Sequence, residues 1–429
     1  MEASSSHGTT TPSLCGRRLS PIPRRRAQRS RRPGSTSGDC DVRLSQRQKQ
    51  LRDHGTAAER TAMRLLIALG EIYEADRLIP ITSAHVAGAS YKMVGDPGLE
   101  FIEDFAAGAR VVVPTTVNPL GMDLDRWREQ KITHDFAAKQ ERIARAYRRM
   151  GVRESFSCTP YLIGNRPRFG DHVAWAESSA VCFANSVLGA RTNREGGPAA
   201  LAASVAGVTP NYGFHLDEGR RATMIVDVRA RLRGHRFSLA GLLAGRRASG
   251  GVPYFRGVRG TETDLKWLCA SIASTGDTAM FHIERGTPEW RRARLKGLPR
   301  TRITERDLAE IEREFTTGED ADIIGLGSPQ LSSEELVEIS RLMEKNRPRI
   351  PVWVFTSRPV RDEARRAVDT IESFGGKVFV DTCLEVTMIE NVSKTVATPS
   401  GKGAVYLPTL CGQKVVLGDV ARLFRRYAA

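Results

Sequence analysis

No CxxC pair occurs in this 429-residue sequence, although it has seven cysteines: Cys15, Cys40, Cys158, Cys182, Cys269, Cys383 and Cys411. An odd count at wide spacings excludes a disulfide framework and a compact zinc ribbon. Long apolar runs are also missing. Segments such as "RVVVP" and "MIVDV" fall far short of the roughly 20 apolar residues of a membrane span, so no membrane is expected as a partner. Zinc-finger spacing, an RNA-binding signature and a basic stripe interleaved with aromatics are all absent. Net charge is nevertheless +16. The positive residues are scattered over helices such as "AAKQERIARAYRRM", where Lys139, Glu141 and Arg142 make a solvated face. A surface favouring anionic small molecules is expected in place of nucleic acid.

What is present is an ordinary globular composition, 40% hydrophobic and 27% charged. Residues 1–42 stand apart, with eight arginines, no lysine and three acids among Ser, Pro and Gly. Such a segment buries too little surface to offset the entropy of ordering it. It reads as a disordered leader or a mis-assigned start, with an organelle transit peptide as the alternative; the rest reads as cytoplasmic. From residue 43 to residue 429, strands and helices alternate. "RLIPITSAHV" reads as strand then loop, "RVVVPTTVNP" as a buried strand ending in a loop, and "DHVAWAESSAVCFANSVL" (172–189) as a helix. Farther on come strand "ADIIGLGSP", helix "SSEELVEISRLMEKN", strand "PVWVFTS", a helix and strand "KVFVDTC". The middle helix opens with a capping-box pattern, Ser332 or Ser333 before Glu335. This alternation implies mostly parallel sheets layered between helices, with ligands at the carboxyl ends of the strands.

Three loops after strands therefore draw attention. "SAHVAGASYK" offers Gly88, Ala89 and Ser90 as a close-approach turn with Lys92 beyond it. "TTVNP" offers Asn118 and Pro119, and "SCTPYLIG" offers Cys158. In the 172–189 helix, Glu177, Ser178, Ser179 and Asn185 lie among apolar neighbours at mixed angles, so the segment is expected to be buried on most sides. A buried Glu needs a partner or a proton. Glu177 is thus a candidate acid, base or orienting group, or else the partner of Arg191 or Arg194 in a structural ion pair. Those two arginines sit in "GARTNREGGP", dense with polar groups between two apolar stretches. Their planar forks suit a carboxylate or phosphate.

The blocks "LIPITSAHVAGASYKMVGDPGLEFIEDFAAGARVVVPTTVNPLGMDLDRW", "CTPYLIG", "GDHVAWAESSAVCFANSVLGARTNREGGP" and "DTC" resemble the aconitase X family over residues 45 to 429. The resemblance implies an α/β fold of aconitase-like three-layer α/β/α domains, two or three of them within 43–429. It implies a dehydratase large subunit with an iron–sulfur cluster or mononuclear iron, a Lewis acid for substrate oxygen. It also implies a small swivelling-domain subunit that closes the site and carries a proton-transferring serine. On this resemblance Cys158 and Cys383 match metal ligands, Cys411 is taken as the third, and Cys182 and Cys269 are core. Glu177, Ser178 and Lys402 are taken as catalytic. Gly88, Ala89, Ser90, Lys92, Asn118, Pro119, Arg191 and Arg194 are taken as substrate-binding. One departure is "ATPSGKGAVYLP", where Pro399 replaces the family's Asn while Lys402 is retained.

For substrate, the arginine- and alanine-rich composition favours cis-3-hydroxy-L-proline, dehydrated to Δ1-pyrroline-2-carboxylate. The alternatives are the large subunit of an (R)-5-phosphomevalonate dehydratase, or a non-catalytic, RNA-binding scaffold that kept the fold.

Overall fold

The structure is a computed structural model that describes residues 42–429. The expected leader, Val42 apart, lies outside the described residues, as do Cys15 and Cys40.

Strand-forming segments fall into three groups along the chain. The first group holds β1 (Leu78–Pro80), β2 (Ala84–Val86), β3 (Thr115–Val117), β4 (Ala174–Trp175) and β5 (Val208–Pro210). β2 lies between β3 and β4 in a parallel sheet, with Ala84 opposite both Thr115 and Ala174. β1 and β5 form a separate antiparallel pair. The second group holds β6 (Met224–Val228), β7 (Pro253–Arg256), β8 (His282–Ile283) and β9 (Arg300–Ile303), parallel in the order β8-β7-β6-β9. The third holds β10 (Ile323–Leu331), β11 (Val352–Thr356), β12 (Gly376–Phe379), β13 (Thr395–Thr398) and β14 (Lys414–Leu417), parallel in the order β12-β11-β10-β13-β14. Every residue of the central strand β10 is buried, as expected for a parallel strand covered on both faces.

Helices supply the crossovers. The helix Ser333–Lys345 links β10 to β11 and opens with a complete capping box between Ser332 and Glu335. The helices Arg236–Ala248 and Glu262–Gly276 flank β7 in sequence and cross at glycines. A Cβ on Gly245 would lie 2.4 Å from the Ile272 carbonyl oxygen, so only glycine permits that approach. The architecture is the layered α/β fold expected.

Local expectations differ in three places. "SAHV" is not a loop: its last three residues are β2, so the loop begins at Ala87. The strand expected over Val111–Val113 lies instead at Thr115–Val117, because the Val111 and Val112 amides donate to the Met150 and Ser204 carbonyls outside any sheet. The single helix expected over 172–189 is three elements. Ala174 and Trp175 enter the sheet as β4, Ser178–Phe183 is a short α-helix, and Ala184–Leu188 is a π-turn.

Candidate active site

Because β3, β2 and β4 are parallel and in register, the chain leaves them at one common edge, after Val117, Val86 and Trp175. Three loops meet there. Gly88 takes a φ of +89° in the first, a left-handed conformation open to glycine at no steric cost. Asn118 and Pro119 form the second, and Ala176, Glu177 and Ser178 the third. With Arg194, Glu385, Lys402 and Tyr406 they line a cavity of about 380 Å³, which also takes in Ala89 and Ser90.

At its floor Glu177 is held by four groups. Lys402 Nζ donates to Glu177 Oε1 at 2.7 Å, and Asn118 Nδ2 donates to Oε2 at 2.8 Å. Ser179 Oγ donates to Oε1 at 3.0 Å, and Ser178 Oγ lies 3.5 Å from the same oxygen. Glu177 is also the N-cap of the short helix that follows it. Burial alone would push its carboxyl up, but the Lys402 ammonium and the hydrogen bonds outweigh this and hold it down to about 2. Burial likewise disfavours the Lys402 charge, and the facing carboxylates and thiols more than compensate, so its ammonium is kept. The buried ion pair expected of Glu177 is present, but its partner is Lys402, 225 residues away, and neither Arg191 nor Arg194.

Two further residues, not singled out in the sequence, complete the cluster. Glu385 Oε2 lies 3.7 Å from Lys402 Nζ, and its other oxygen is hydrogen-bonded by Ser328 Oγ. Burial pushes the Glu385 carboxyl up, only partly opposed by Lys402 and Ser328. His85 is fully buried between Thr116 Oγ1 and Asn118 Oδ1, at 2.8 Å from each. Burial lowers its pKa to about 4, so the ring is neutral at pH 7. Since Asn118 turns its amide nitrogen to Glu177, its oxygen accepts from His85 Nε2.

Of the remaining expected residues, Arg194 reaches the rim, and Arg191 and Lys92 are placed elsewhere. The Arg191 guanidinium donates to Asp217 at 2.5 Å and to the His215 carbonyl at 2.9 Å, outside the cavity lining. Arg194 is at the rim and pairs with the exposed Asp277 at 2.7 Å. Lys92 is also outside the lining, donating to Glu390 at 2.9 Å and to Cys411 Sγ at 3.3 Å. The "ARTNRE" loop therefore brings one arginine to the site, and its other arginine braces the fold.

The three cysteines taken as metal ligands do not converge. Cys158 is close enough to Cys383 for its negative charge to push the Cys383 thiol up, and Lys402 and Glu385 act on both. Burial raises both thiols, Cys158 to about 11. Cys411 is set apart, its thiol on the Glu385 carbonyl at 3.4 Å and beside Lys92. Among the described residues no three His, Cys, Asp or Glu side chains are grouped to hold a metal ion. The donor set does not fit an iron–sulfur cluster on Cys158, Cys383 and Cys411. Cys182 and Cys269 are fully buried in the core, as expected.

Comparison with known proteins agrees with this geometry. Family models described as the aconitase X first, second and third domains match residues 41–218, 222–313 and 321–428. The phosphomevalonate dehydratase large subunit of Methanothermobacter thermautotrophicus is 46% identical over 371 residues, covering 85% of this chain and 93% of that one. The cis-3-hydroxy-L-proline dehydratase of Pseudomonas aeruginosa is 34% identical over 392 residues, covering 86% of this chain and 67% of that one. A crystal structure of Thermococcus kodakaraensis aconitase X in its holo-form superposes with a TM-score of 0.84 at 41% identity, covering 90% of this chain and all of that one. These similarities support the phosphomevalonate alternative better than the hydroxyproline preference drawn from composition. They also make the chain an enzyme, a lyase that eliminates water. It belongs to the aconitase X family.

Proposed function

We propose that this chain is the large subunit of a phosphomevalonate dehydratase, removing water from (R)-5-phosphomevalonate. The observation that carries the site assignment is the buried Lys402–Glu177–Asn118 cluster at the floor of the cavity. The substrate assignment is supported by the higher identity to phosphomevalonate dehydratase large subunits, and by their nearly full coverage.

The reaction takes a proton from the carbon next to the carboxylate and expels hydroxide from the neighbouring carbon. Negative charge gathers on the carboxylate as the proton leaves, and a fixed cation in a dry site stabilises it strongly. Lys402 is that cation, held charged and aimed by Glu177. Glu177 is ionised at neutral pH and cannot donate a proton, so it orients Lys402 and Asn118. Glu385, whose carboxyl is pushed up, is the group in the cluster suited to protonate the departing hydroxide. Arg194 at the rim attracts the anionic substrate. Relatives named large subunits imply a small partner. We assign to that partner the closing of the cavity, the exclusion of water and the proton-accepting base.

The test is dehydration by the complex of this chain with its small subunit, assayed in parallel on phosphomevalonate and on cis-3-hydroxy-L-proline. Turnover of phosphomevalonate with a negligible rate on hydroxyproline is expected. The reverse preference contradicts the proposal.

A further inference from the structure

The second sheet has a concavity of its own that the reaction does not use. The segments following β6, β7 and β8 enclose a cavity of about 610 Å³, large enough for a small organic ligand. Its lining shares no residue with the cavity around Glu177. It sits at the carboxyl ends of parallel strands, where open α/β sheets bind ligands.

Its chemistry is one-sided. Arg231, Arg259 and Arg285 line it, one from each loop. Among the described residues none of the three guanidinium groups forms an ion pair or a hydrogen bond. Two other arginines nearby are engaged: Arg236 is paired with Glu305, and Arg256 lies 3.6 Å from Glu284. Glu284 is the one acid of the lining and faces Arg256. Two backbone conformations form this rim. Gly257 has a φ of +76°, where a Cβ would meet the Val228 carbonyl oxygen at 2.5 Å. Arg285 has a φ of +58°, unfavourable for a side chain of its size. Such strain persists where surroundings impose it, and it gathers at ligand-binding segments. The amides of Arg259 and Gly260 also lack an acceptor among the described residues. Beneath the cations, Val258, Leu265 and Ile283 make an apolar floor, and the lining contains no aromatic ring.

We infer that this cavity binds a phosphate or diphosphate monoester of a short aliphatic alcohol. Three planar forks and free amides match phosphate oxygens, and the apolar floor takes the aliphatic body. The absence of a ring to stack on argues against a nucleotide base or single-stranded RNA.

The experiment is calorimetric titration of the full chain with n-butyl diphosphate, with inorganic pyrophosphate and n-butanol as half-ligands. One site per chain is expected, tighter for the ester than for either half. Arg259→Ala and Arg285→Ala should each weaken binding about tenfold, the loss of one charge-assisted contact, while circular dichroism and Tm stay unchanged. Arg231→Gln is the substitute should either alanine variant misfold. Arg194→Ala, at the rim of the other cavity, should leave the titration unaltered. No binding at millimolar ester, undiminished affinity in the arginine variants, or loss of binding in Arg194→Ala would overturn the inference. Preferential binding of a single-stranded RNA oligonucleotide would do the same.

Discussion

Lys402 Nζ lies 2.7 Å from Glu177 Oε1, and both side chains are buried. The two residues follow strands of different sheets, β4 and β13, and have no local reason to meet, so their contact is a property of the whole fold. Each is costly to bury alone. Lys402→Met is expected to destabilise the chain by about 3–5 kcal/mol at neutral pH, the range for removing one partner of a buried pair. The pH dependence follows from Glu177. Its folded pKa of about 2 lies below its ordinary value of 4.5, so it contributes stability that is present above about 4.5 and lost as pH falls toward 2. Without Lys402, burial raises that pKa, and the carboxylate becomes a penalty that protonation relieves. The stability gap between wild type and variant should be largest near pH 7 and shrink on acidification. Urea unfolding across that range measures it, and a gap that grows toward acid would contradict the pairing.

Cys411 is braced by Lys92 and the Glu385 carbonyl, away from Cys158 and Cys383. Cys411→Ser should therefore leave the iron content of the anaerobically purified chain unchanged, at a cost of about 1 kcal/mol for a weakened buried contact. Metal analysis and Tm together check this. Iron lost from Cys411→Ser with the fold intact would restore Cys411 as a ligand.

Arg191 and Arg194 separate by role. Arg191 is largely buried and braces Asp217 and the His215 carbonyl, so Arg191→Ala should cost roughly 1–3 kcal/mol of stability. Arg194 pairs with an exposed Asp277, a contact worth under about 1 kcal/mol. Arg194→Ala should keep its Tm and raise KM more than it lowers kcat. Unaltered KM would remove Arg194 from the site.

The sequence showed the strand–helix alternation of the third sheet most clearly, because strands such as "PVWVFTS" are short apolar runs separated by capped helices. The run from His172 to Gly189 was misread for the opposite reason. A segment buried on every side has no polar face, so the periodicities of helix and strand cannot be told apart. The loops after β2 and β3 were legible as a ligand edge from parallel topology, whereas the turn after β4 was hidden inside the expected helix. Lys402 was not, since its helix reads as ordinary and only the family resemblance pointed to it. Glu385 and His85 went unnoticed because each becomes significant through residues distant in sequence. Arg191 was misplaced because its partner Asp217 lies 26 residues farther along the chain. Composition carried no information on substrate, which depends on the walls of one cavity.

On the proposed function, the Lys402–Glu177 floor is half of a reaction centre that a small subunit completes. The most direct measurement is the steady-state rate of phosphomevalonate dehydration by three samples: this chain alone, its complex with the small subunit, and the same complex carrying Lys402→Met. The complex is expected to exceed the isolated chain by about 10²–10⁴-fold, the contribution of one positioned acid–base group. The Lys402→Met complex should assemble and yet fall by about 10²–10³-fold, as for removal of one transition-state donor. Full turnover by the chain alone, or by the assembled Lys402→Met complex, would contradict the claim.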